Sequence, residues 1–488
     1  MPSASRYACL LVSDVPLAAA LRAEPELRSQ ALAVVDGQEI LSGWLHGMTL
    51  TQARAIAPNL VTRPVSLEGI ASIQNALIDV ALSVTPRVED VRSGLAFLEL
   101  AGTEVLYPTE KGLLTALDTR LRSVGIFDVR SGTAPTRTAS QLAARFRDGG
   151  HIVRARDLQK FLAPLPLDLL DPSDELSERL THWGLQRLSD LWKLPNDTLG
   201  TRLGRAGVEL ARRARGADLK PFKPTPPRLR FEESAQPEYP LGNLEQLSFL
   251  LRGVLDRLAR RLQVRGIAIR ELLLELTLEN HETFARSVPL GAPTTEVSVL
   301  LSLVRLTLER DPPSAAVELV RVTATPGNIE TAQLDLFLPP LPAPAELATT
   351  VARLEALCGG TDRVGALGVR DTHRPDAGTL DSFATDARPG DIYGNRVLAP
   401  RAAMALRSWR PPAPVRVCRR AGSPARLELR GKTLRVERAA GPWRLFGEWW
   451  GDGRFARDYF DVELSDGGVY RLYENLDEAR WFIDGLYD

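Results

Sequence analysis

The sequence predicts a multi-domain α+β protein, and three observations support this fold class. The chain has 488 residues, which is more than the roughly 250–300 residues that usually share one hydrophobic core. Its first third alternates strand-like and helix-like hydrophobic patterns. Two proline-rich stretches, at 221–227 and 339–344, interrupt the later pattern and indicate linkers. We therefore expect four domains, at 1–160, 161–222, 223–340 and 345–488.

The composition predicts an ordinary soluble protein of a reducing compartment. Lys plus Arg total 61 and Asp plus Glu total 61, so the net charge of zero says nothing about partners. The three cysteines lack Cys-x-x-Cys spacing, which argues against a disulfide framework and against a zinc site. The sequence has no signal-peptide pattern and no apolar run of about 18 residues. We expect a cytoplasmic protein.

The first domain has the pattern of a ferredoxin-like fold. Strand and helix signals follow one another in the order strand–helix–strand–strand–helix–strand. The predicted elements lie at 7–13, 66–83, 86–91, 95–100, 110–123 and 127–132.

The second domain reads as two short helical hairpins and carries a basic segment. Gly204-Arg205-Ala206-Gly207 leads into a helix, whose first backbone N–H groups can hold a phosphate. Residues 200–230 are rich in Lys and Arg, with only Glu209 and Asp218 opposing them. This pattern predicts contact with a nucleic-acid backbone without sequence reading, although a solvated basic helix face is the alternative. The candidate residues are Gly204, Arg205, Gly207, Arg212, Arg213, Arg215, Lys220 and Lys223.

The third domain reads as a small α+β module with a second basic helix. Helix signals lie at 243–264 and 295–310, and strand signals lie at 267–278 and 317–325. We expect the arginines of the first helix to contact DNA phosphates. These arginines are Arg252, Arg257, Arg260, Arg261 and Arg265.

Three motifs carry a resemblance to a known family. Arg92–Leu100 resembles the Ser-Ile-Asp-Glu-Ala-Phe-Leu-Asp-Leu segment of Y-family (translesion) DNA polymerases, and Val12–Ala18 resembles their Val-Asp-x-Asp-x-Phe-Phe strand end. Gly132–Arg137 resembles their Gly-Ile-Ala-Pro-Asn-Lys helix start. The chain resembles this family over about 5–340, and specifically its ImuB branch. The resemblance implies a ferredoxin-like palm with reduced fingers, a helix–hairpin–helix thumb and an α+β little finger, followed by a mixed, β-containing C-terminal region.

The residues that carry the family's chemistry are missing. Ser13, Gly94 and Leu95 stand where the resemblance places the metal-binding carboxylates, and two-metal phosphoryl transfer needs such carboxylates. Asp14 is one residue out of register and would need a local register shift to replace them. The remaining departures are Ala18 at the steric gate, and Gly37 and Ile40 at the triphosphate ligands. We expect no polymerase activity, no bound metal and no cofactor.

A short peptide after the third domain matches another known pattern. Gln333-Leu334-Asp335-Leu336-Phe337 matches the bacterial sliding-clamp-binding pentapeptide Gln-Leu-x-Leu-Phe. In peptide-in-groove binding, Gln333 would fill a polar subsite while Leu336 and Phe337 fill an apolar pocket. The alternative is an edge strand whose leucines point inward.

The C-terminal region, 345–488, contains an aromatic-rich segment at 443–487. Its aromatic residues could form a small β-core or a partner surface, since aromatic residues and arginine are enriched at binding hot spots. The resemblance to ImuB proteins implies docking of an ImuA-type RecA-like protein and of an error-prone replicative-type polymerase (ImuC type).

These expectations combine into one function. The chain is expected to be a non-catalytic adaptor of an error-prone translesion complex, nucleoid-associated and acting in SOS-type DNA damage tolerance and mutagenesis. It would bind the sliding clamp, its protein partners and, weakly and without sequence preference, DNA. Two alternatives stay open: an active Y-family polymerase with unorthodox metal ligands, and a plain DNA-binding module with a fortuitous clamp pentapeptide.

Overall fold

The structure, a computed structural model, consists of two compact units, Met1–Leu357 and Cys358–Asp488. No helix in the described part of the chain is long and apolar enough to cross a membrane. The described residues are 5–146, 150–226, 231–327, 344–369, 372, 374, 378–381, 405–429, 431–450 and 454–487.

The palm and fingers occupy the start of the first unit. The strands are β1 (Tyr7–Val12), β2 (Leu32–Asp36), β3 (Glu39–Ser42), β4 (Val61–Pro64), β5 (Val88–Arg92), β6 (Leu95–Glu99), β7 (Val129–Ala134) and β8 (His151–Ile152). The helices are α1 (Val15–Ala23), α2 (Leu50–Ile56), α3 (Leu67–Leu82), α4 (Glu110–Ser123) and α5 (Arg137–Arg145).

The palm sheet has the strand order β5-β6-β1-β7-β8, which confirms the predicted ferredoxin-like pattern. Its central strand β1 pairs antiparallel with β6 and with β7. Successive side chains of a strand point to opposite faces, so Leu10 packs with α3 and α4 while Cys9 packs with α5. Ser66 and Thr109 cap the first turns of α3 and α4 by accepting backbone N–H bonds.

The fingers form a separate three-stranded sheet, β3-β2-β4, which the hydrophobic pattern did not predict. Its core is small, with Ala33, Ile40, Leu45, Ala53 and Leu60 buried together. The family resemblance implied reduced fingers, and the small sheet is consistent with that.

The helical thumb follows the palm. Its helices pack around buried leucines, among them Leu162, Leu180, Leu191 and Leu210. The helices are α6 (Leu158–Leu162), α7 (Asp174–His182), α8 (Leu188–Trp192) and α9 (Asn196–Ala214). Short 3-10 helices lie at Pro25–Ser29, Ala155–Asp157, Leu167–Leu170 and Thr361–Arg363.

The little finger is a four-stranded antiparallel sheet with two helices on one face. Its strand order is β11-β10-β12-β9, and the long β11 was not predicted from the sequence. The elements are β9 (Phe231–Ala235), α10 (Leu244–Val264), β10 (Ala268–Leu278), β11 (Thr283–Thr294), α11 (Val297–Arg310) and β12 (Val317–Gly327).

Helix α12 (Pro344–Cys358) packs against the little finger. Ala352 lies in the little-finger core, and a Cβ at Gly291 of β11 would stand 2.1 Å from the carbonyl oxygen of Ala348. This helix therefore lies in the first unit, whereas the sequence prediction placed it at the start of the C-terminal region.

The second unit contains a closed barrel of six strands that follow one another around the wall. Leu427, Phe460, Leu472, Trp481 and Ile483 are buried inside it. The strands of the unit are β13 (Ala366–Val369), β14 (Gly378–Asp381), β15 (Leu406–Arg420), β16 (Ser423–Leu429), β17 (Lys432–Gly447), β18 (Phe455–Leu464), β19 (Val469–Asn475) and β20 (Arg480–Tyr487). The barrel is formed by β15 to β20.

Candidate nucleic-acid interface and vacated catalytic site

The three expected carboxylate positions lie together at one edge of the palm sheet. Ser13 is exposed just after β1, and Gly94 forms the turn between β5 and β6 with φ +77°. The Val12 N–H donates to the Gly94 carbonyl over 2.8 Å. The fold thus brings Ser13 and Gly94 to the place that the polymerase motif predicts, but with no carboxylate on either residue.

Gly94 and Leu95 are built into the packing of this edge. A Cβ at Gly94 would stand 2.4 Å from Cγ2 of Val15, so any side chain there would force a shift. Leu95 is 3% exposed and packs with Cys9, Phe97 and Ala144. Its position is an apolar core position, which disfavours an ionised carboxylate.

Asp14 accepts three hydrogen bonds from the local structure. Its Oδ1 accepts from the Leu17 N–H at 3.0 Å, as the N-cap of α1, and from the Ser42 hydroxyl. Its Oδ2 accepts from the Gly43 N–H at 3.0 Å. In this role Asp14 ties the palm to the fingers, so a register shift toward a metal would break three hydrogen bonds.

The residues at this edge do not fit a pair of magnesium ions. Mg²⁺ in phosphoryl-transfer sites is held by carboxylates, and among the described residues that line the space at this edge, Asp14 is the acidic one. Among the described residues, no group of three or more His, Cys, Asp or Glu could hold a metal.

The gate and triphosphate positions also lack their expected chemistry. Ala18 packs against the palm core from α1. Ile40 is fully buried in the fingers core, and Gly37 is a turn residue with φ +59°. None of these three residues presents a cation or an aromatic ring to a nucleotide.

The vacated edge opens into a cleft of about 820 Å³ between palm and fingers. Arg92, Arg130 and Arg145 line it, together with Ser13 and His46. The sequence prediction did not select these arginines. The sequence held one signal for them: Arg92 stands at the first position of the family motif, where the family segment has serine.

The thumb hairpin has the geometry that the glycine spacing predicted. Gly204 interrupts α9 with φ +64°, and the chain resumes a helical turn directly afterwards. Gly207 is buried, and a Cβ there would lie 2.3 Å from the Leu203 Cβ. The turn therefore presents the N-terminal end of a helix toward solvent.

Most basic candidates of the thumb and linker are exposed. Arg205 is 92% exposed and pairs with Glu209 at 2.8 Å. Arg213 is half-buried, and burial lowers the pKa of its guanidinium. The exposed candidates are Arg205, Arg212, Arg215, Lys220 and Lys223.

The basic helix α10 is divided between two faces, which corrects part of the prediction. Arg252 and Arg260 are exposed, with Arg260 bonded to Asp256 at 2.9 Å. Arg261 is only 3% exposed, so it cannot reach a DNA phosphate in this arrangement. Arg257 and Arg265 also turn inward, toward acidic partners.

Those partners join the little finger to the palm. Arg261 donates to Asp79 of α3 over 2.8 Å and to Glu233 of β9 over 2.8 Å. Arg265 pairs with Asp79 at 3.3 Å, and Arg257 pairs with Glu233 at 3.5 Å. The sequence places these arginines on one helix, but their acidic partners lie on other elements of the fold.

Glu233 is the centre of this buried cluster. Burial by itself raises the pKa of Glu233, but the charges of Arg22, Arg261 and Arg257 outweigh it and lower that pKa to about 2. Burial likewise lowers the pKa of Arg22, to about 10, against the attraction of Glu233. Both groups are therefore charged across the physiological range, and we call this set the palm–finger cluster (Arg22, Asp79, Glu233, Arg257, Arg261, Arg265).

The aromatic residues of the barrel divide into a core set and an exposed set. Trp481 and Phe460 are buried with ring centroids 5.4 Å apart. Phe446, Trp449 and Trp450 are exposed, and the two tryptophan rings lie edge to face at 5.4 Å. The predicted β-core is thus confirmed for Trp481 and Phe460, whereas a partner surface stays a prediction for the exposed residues.

The clamp pentapeptide, Gln333–Phe337, lies outside the described residues.

Comparisons with known proteins extend the resemblance over nearly the whole chain. The impB/mucB/samB family model matches residues 15–145, and the model of the impB/mucB/samB family C-terminal domain matches residues 233–336. Protein ImuB of Caulobacter vibrioides (strain NA1000 / CB15N) is 28% identical over 476 residues, covering 91% of this chain and 100% of that protein. DNA polymerase IV of Caulobacter vibrioides (strain ATCC 19089 / CIP 103742 / CB 15) is 25% identical over 305 residues, covering 61% of this chain and 75% of the polymerase.

Among solved structures, DinB from Sulfolobus solfataricus aligns with 67% of this chain and 100% of its own, at 17% identity and a TM-score of 0.39. A score that low adds nothing to the fold described above. The likeness to ImuB spans 91% of the chain, whereas the likeness to polymerase IV spans 61%. Together with the two matched domain models, this places the chain in the impB/mucB/samB family of Y-family polymerase-like proteins, in its ImuB branch.

Proposed function

We propose that this chain is a non-catalytic Y-family homologue that serves as the adaptor of an error-prone translesion complex. The observation that carries the proposal is the packing at Gly94 and Leu95. One position has no room for a side chain and the other is an apolar core position. With Asp14 committed to three hydrogen bonds, the edge offers no carboxylate pair to hold two metal ions.

The DNA-holding part of the proposal rests on the exposed basic residues. The helix N-terminal end after Gly204 and the exposed Arg212, Lys220 and Lys223 suit backbone phosphates. Arg252 and Arg260 of α10 add to this set, whereas the arginines of the palm–finger cluster do not. Binding of this kind is sequence-independent and weakens steeply as salt rises.

The adaptor part rests on two attachments. Gln333, Leu334, Asp335, Leu336 and Phe337 supply the sliding-clamp peptide. The exposed Phe446, Trp449 and Trp450 supply a surface for the partners that the ImuB resemblance implies, the ImuA-type RecA-like protein and the ImuC-type polymerase. Linking both attachments on one chain raises the effective concentration of the active polymerase at the clamp.

The test combines a synthesis assay with a clamp-binding assay on the purified chain. We expect no Mg²⁺-dependent nucleotide incorporation, and co-elution with the sliding clamp that is lost when Gln333, Leu336 and Phe337 are all replaced by alanine. Asp335→Ala is the matched control, because position three of the pattern is variable, and it should keep clamp binding. Incorporation that disappears in Asp14→Ala would favour an active polymerase instead. Clamp binding that survives the triple substitution would remove the adaptor mechanism.

A further inference from the structure

The cleft at the vacated catalytic edge carries positive charge in an ordered arrangement. In the palm sheet, Leu11 of β1 lies opposite Leu95 of β6 on one side and opposite Arg130 of β7 on the other. Arg92 of β5 in turn lies opposite Leu95, directly after a register shift in the pairing of β5 with β6, and it lines the same cleft as Leu11 and Arg130. Directly opposed residues of antiparallel strands project from the same face, so these four residues form one row across the sheet.

The row has one arginine at each end, with two leucines between them. Neighbouring strands are about 4.8 Å apart, so the Cα atoms of Arg92 and Arg130 are separated by three strand spacings, or roughly 14 Å. Leu95 occupies the position of a family carboxylate. The cationic residues therefore bracket the place where a polymerase would hold its metal ions.

The two arginines are available for a ligand. Within the described part of the chain, neither Arg92 nor Arg130 has an ion-pair partner. The third arginine of the cleft, Arg145, pairs with Asp171 at 2.6 Å and donates to the Leu169 carbonyl over 2.8 Å. The cleft's acidic residue, Asp14, already accepts three hydrogen bonds.

The source of the positive charge that would face a phosphate differs from that in a two-metal site. In a two-metal site, carboxylates recruit Mg²⁺ and the ions then face the phosphates. Here the carboxylates are gone and guanidinium groups stand at the same edge. A guanidinium binds a phosphate directly through paired N–H donors and needs no metal.

The rest of the cleft favours a nucleic-acid strand over a free nucleotide. Gly37 and Ile40 offer no ligand for a triphosphate, and two arginines whose Cα atoms lie roughly 14 Å apart suit separate phosphates along a strand better than one compact polyphosphate. The opposite wall includes Leu41 and His46.

We propose that the vacated catalytic cleft binds the backbone of a DNA strand without a metal ion, through Arg92 and Arg130. The cleft is a DNA-binding site separate from the thumb and α10 residues. It goes beyond the proposed adaptor function, which would stand without it.

The experiment measures binding of the full-length chain to a fluorescent single-stranded oligonucleotide by anisotropy, across a salt series, with EDTA or with Mg²⁺. The test variant is Arg92→Ala/Arg130→Ala. The charge-matched control is Arg122→Ala/Arg305→Ala, which removes two exposed helix arginines outside the cleft. Thermal melting of both variants checks that the fold is retained.

Wild-type binding in EDTA is expected to equal or exceed binding in Mg²⁺. The cleft variant should lower the salt slope by about 1.4, since each lost phosphate contact on a single strand removes about 0.7. The control should leave the slope unchanged, and Arg92→Lys/Arg130→Lys should restore it.

Three outcomes would overturn the proposal. The first is a cleft variant with the wild-type slope, and the second is a requirement for Mg²⁺. The third is displacement of the oligonucleotide by a deoxynucleoside triphosphate in the wild type but not in the cleft variant, which would assign the cleft to nucleotides. Clamp co-elution is a separate measurement that does not depend on the cleft arginines. Failure of this proposal is therefore distinguishable from failure of the adaptor function.

Discussion

At the scale of single residues, the proposed lack of catalysis rests on packing as well as on missing carboxylates. Gly94 adopts φ +77°, a region that costs a non-glycine residue about 1–2 kcal/mol, and it stands against Val15. Leu95 has become part of an apolar cluster. The substitutions are therefore compensated locally, and reversing them changes the fold energy as well as the chemistry.

The prediction at this scale concerns carboxylates put back into the vacated positions. Leu95→Glu should lower the free energy of unfolding by about 3 kcal/mol, because it buries an ionisable group among apolar side chains. Gly94→Asp should also destabilise the chain. Ser13→Asp, at an exposed position, should change stability by no more than about 0.5 kcal/mol.

Thermal melting and primer extension together check this prediction. The triple variant Ser13→Asp/Gly94→Asp/Leu95→Glu is expected to melt lower than Ser13→Asp alone and to show no Mg²⁺-dependent extension. A triple variant that keeps its stability and extends a primer would mean that the polymerase frame lacks nothing but the three carboxylates.

At the scale of elements, the inward face of α10 binds the little finger to the palm through charge. The palm–finger cluster joins α10 and β9 to α3 and α1, and its members Arg261 and Glu233 are nearly without solvent exposure. Breaking such a pair by removing one partner leaves uncompensated buried charge and typically costs about 3–5 kcal/mol. The cluster therefore fixes the position of the little finger against the palm.

Glu233→Gln should destabilise the first unit by about 3 kcal/mol at neutral pH, because Arg22, Arg257 and Arg261 lose their shared carboxylate. The neighbouring Glu232→Gln is the matched control. Glu232 pairs with Arg321 at 3.2 Å on the exposed side of the same strand, so its replacement should cost less than about 1 kcal/mol.

The pH dependence of this effect follows from the lowered pKa of Glu233. A carboxyl whose pKa is lower in the folded state stabilises the fold above its unfolded pKa, and this contribution fades as pH falls toward the folded value. The stability difference between wild type and Glu233→Gln should thus be full above pH of about 4.5 and shrink as pH approaches about 2. Chemical denaturation at a series of pH values measures it, and a difference independent of pH would contradict the assignment.

The elements also mark what the sequence could and could not predict. Helix α4 and the hairpin of β5 and β6 were predicted nearly to the residue, because local caps and alternating hydrophobicity specify them. The fingers sheet and β11 were missed, since their strands are short or interrupted by Pro289 and Pro293. Arg261 was assigned to DNA because helical spacing shows that arginines share a helix but does not show that Asp79 and Glu233 face them.

The same limit applied to the site. The expected carboxylate positions could be located from the sequence because a motif is matched residue by residue along the chain. The row of Arg92 and Arg130 was not predictable, because it depends on the register between strands distant in sequence. Likewise, the sequence alone could not divide the aromatic segment at 443–487 into core and exposed residues, because this division depends on how the strands close into a barrel.

At the scale of the whole molecule, the proposed adaptor works only if clamp and partner attachments belong to the same chain. Two weak attachments on one chain act together because the second forms at high local concentration. Attachments on separate chains lose this advantage, even when each keeps its own affinity. The chain should therefore show no complementation between variants that lack different attachments.

One variant carries alanine at Gln333, Leu336 and Phe337, and the other carries Trp449→Ala and Trp450→Ala. The two tryptophans are about 70% exposed, so their loss should leave the barrel's melting temperature unchanged, whereas Trp481→Ala in the core should lower it. Each variant alone should abolish damage-induced mutagenesis in a strain that lacks the wild-type chain. Co-expression of both should fail to restore it, because no single molecule joins the partner polymerase to the clamp. Restored mutagenesis would show that the attachments act on separate molecules or within an oligomer, and the single-chain tether would then be wrong.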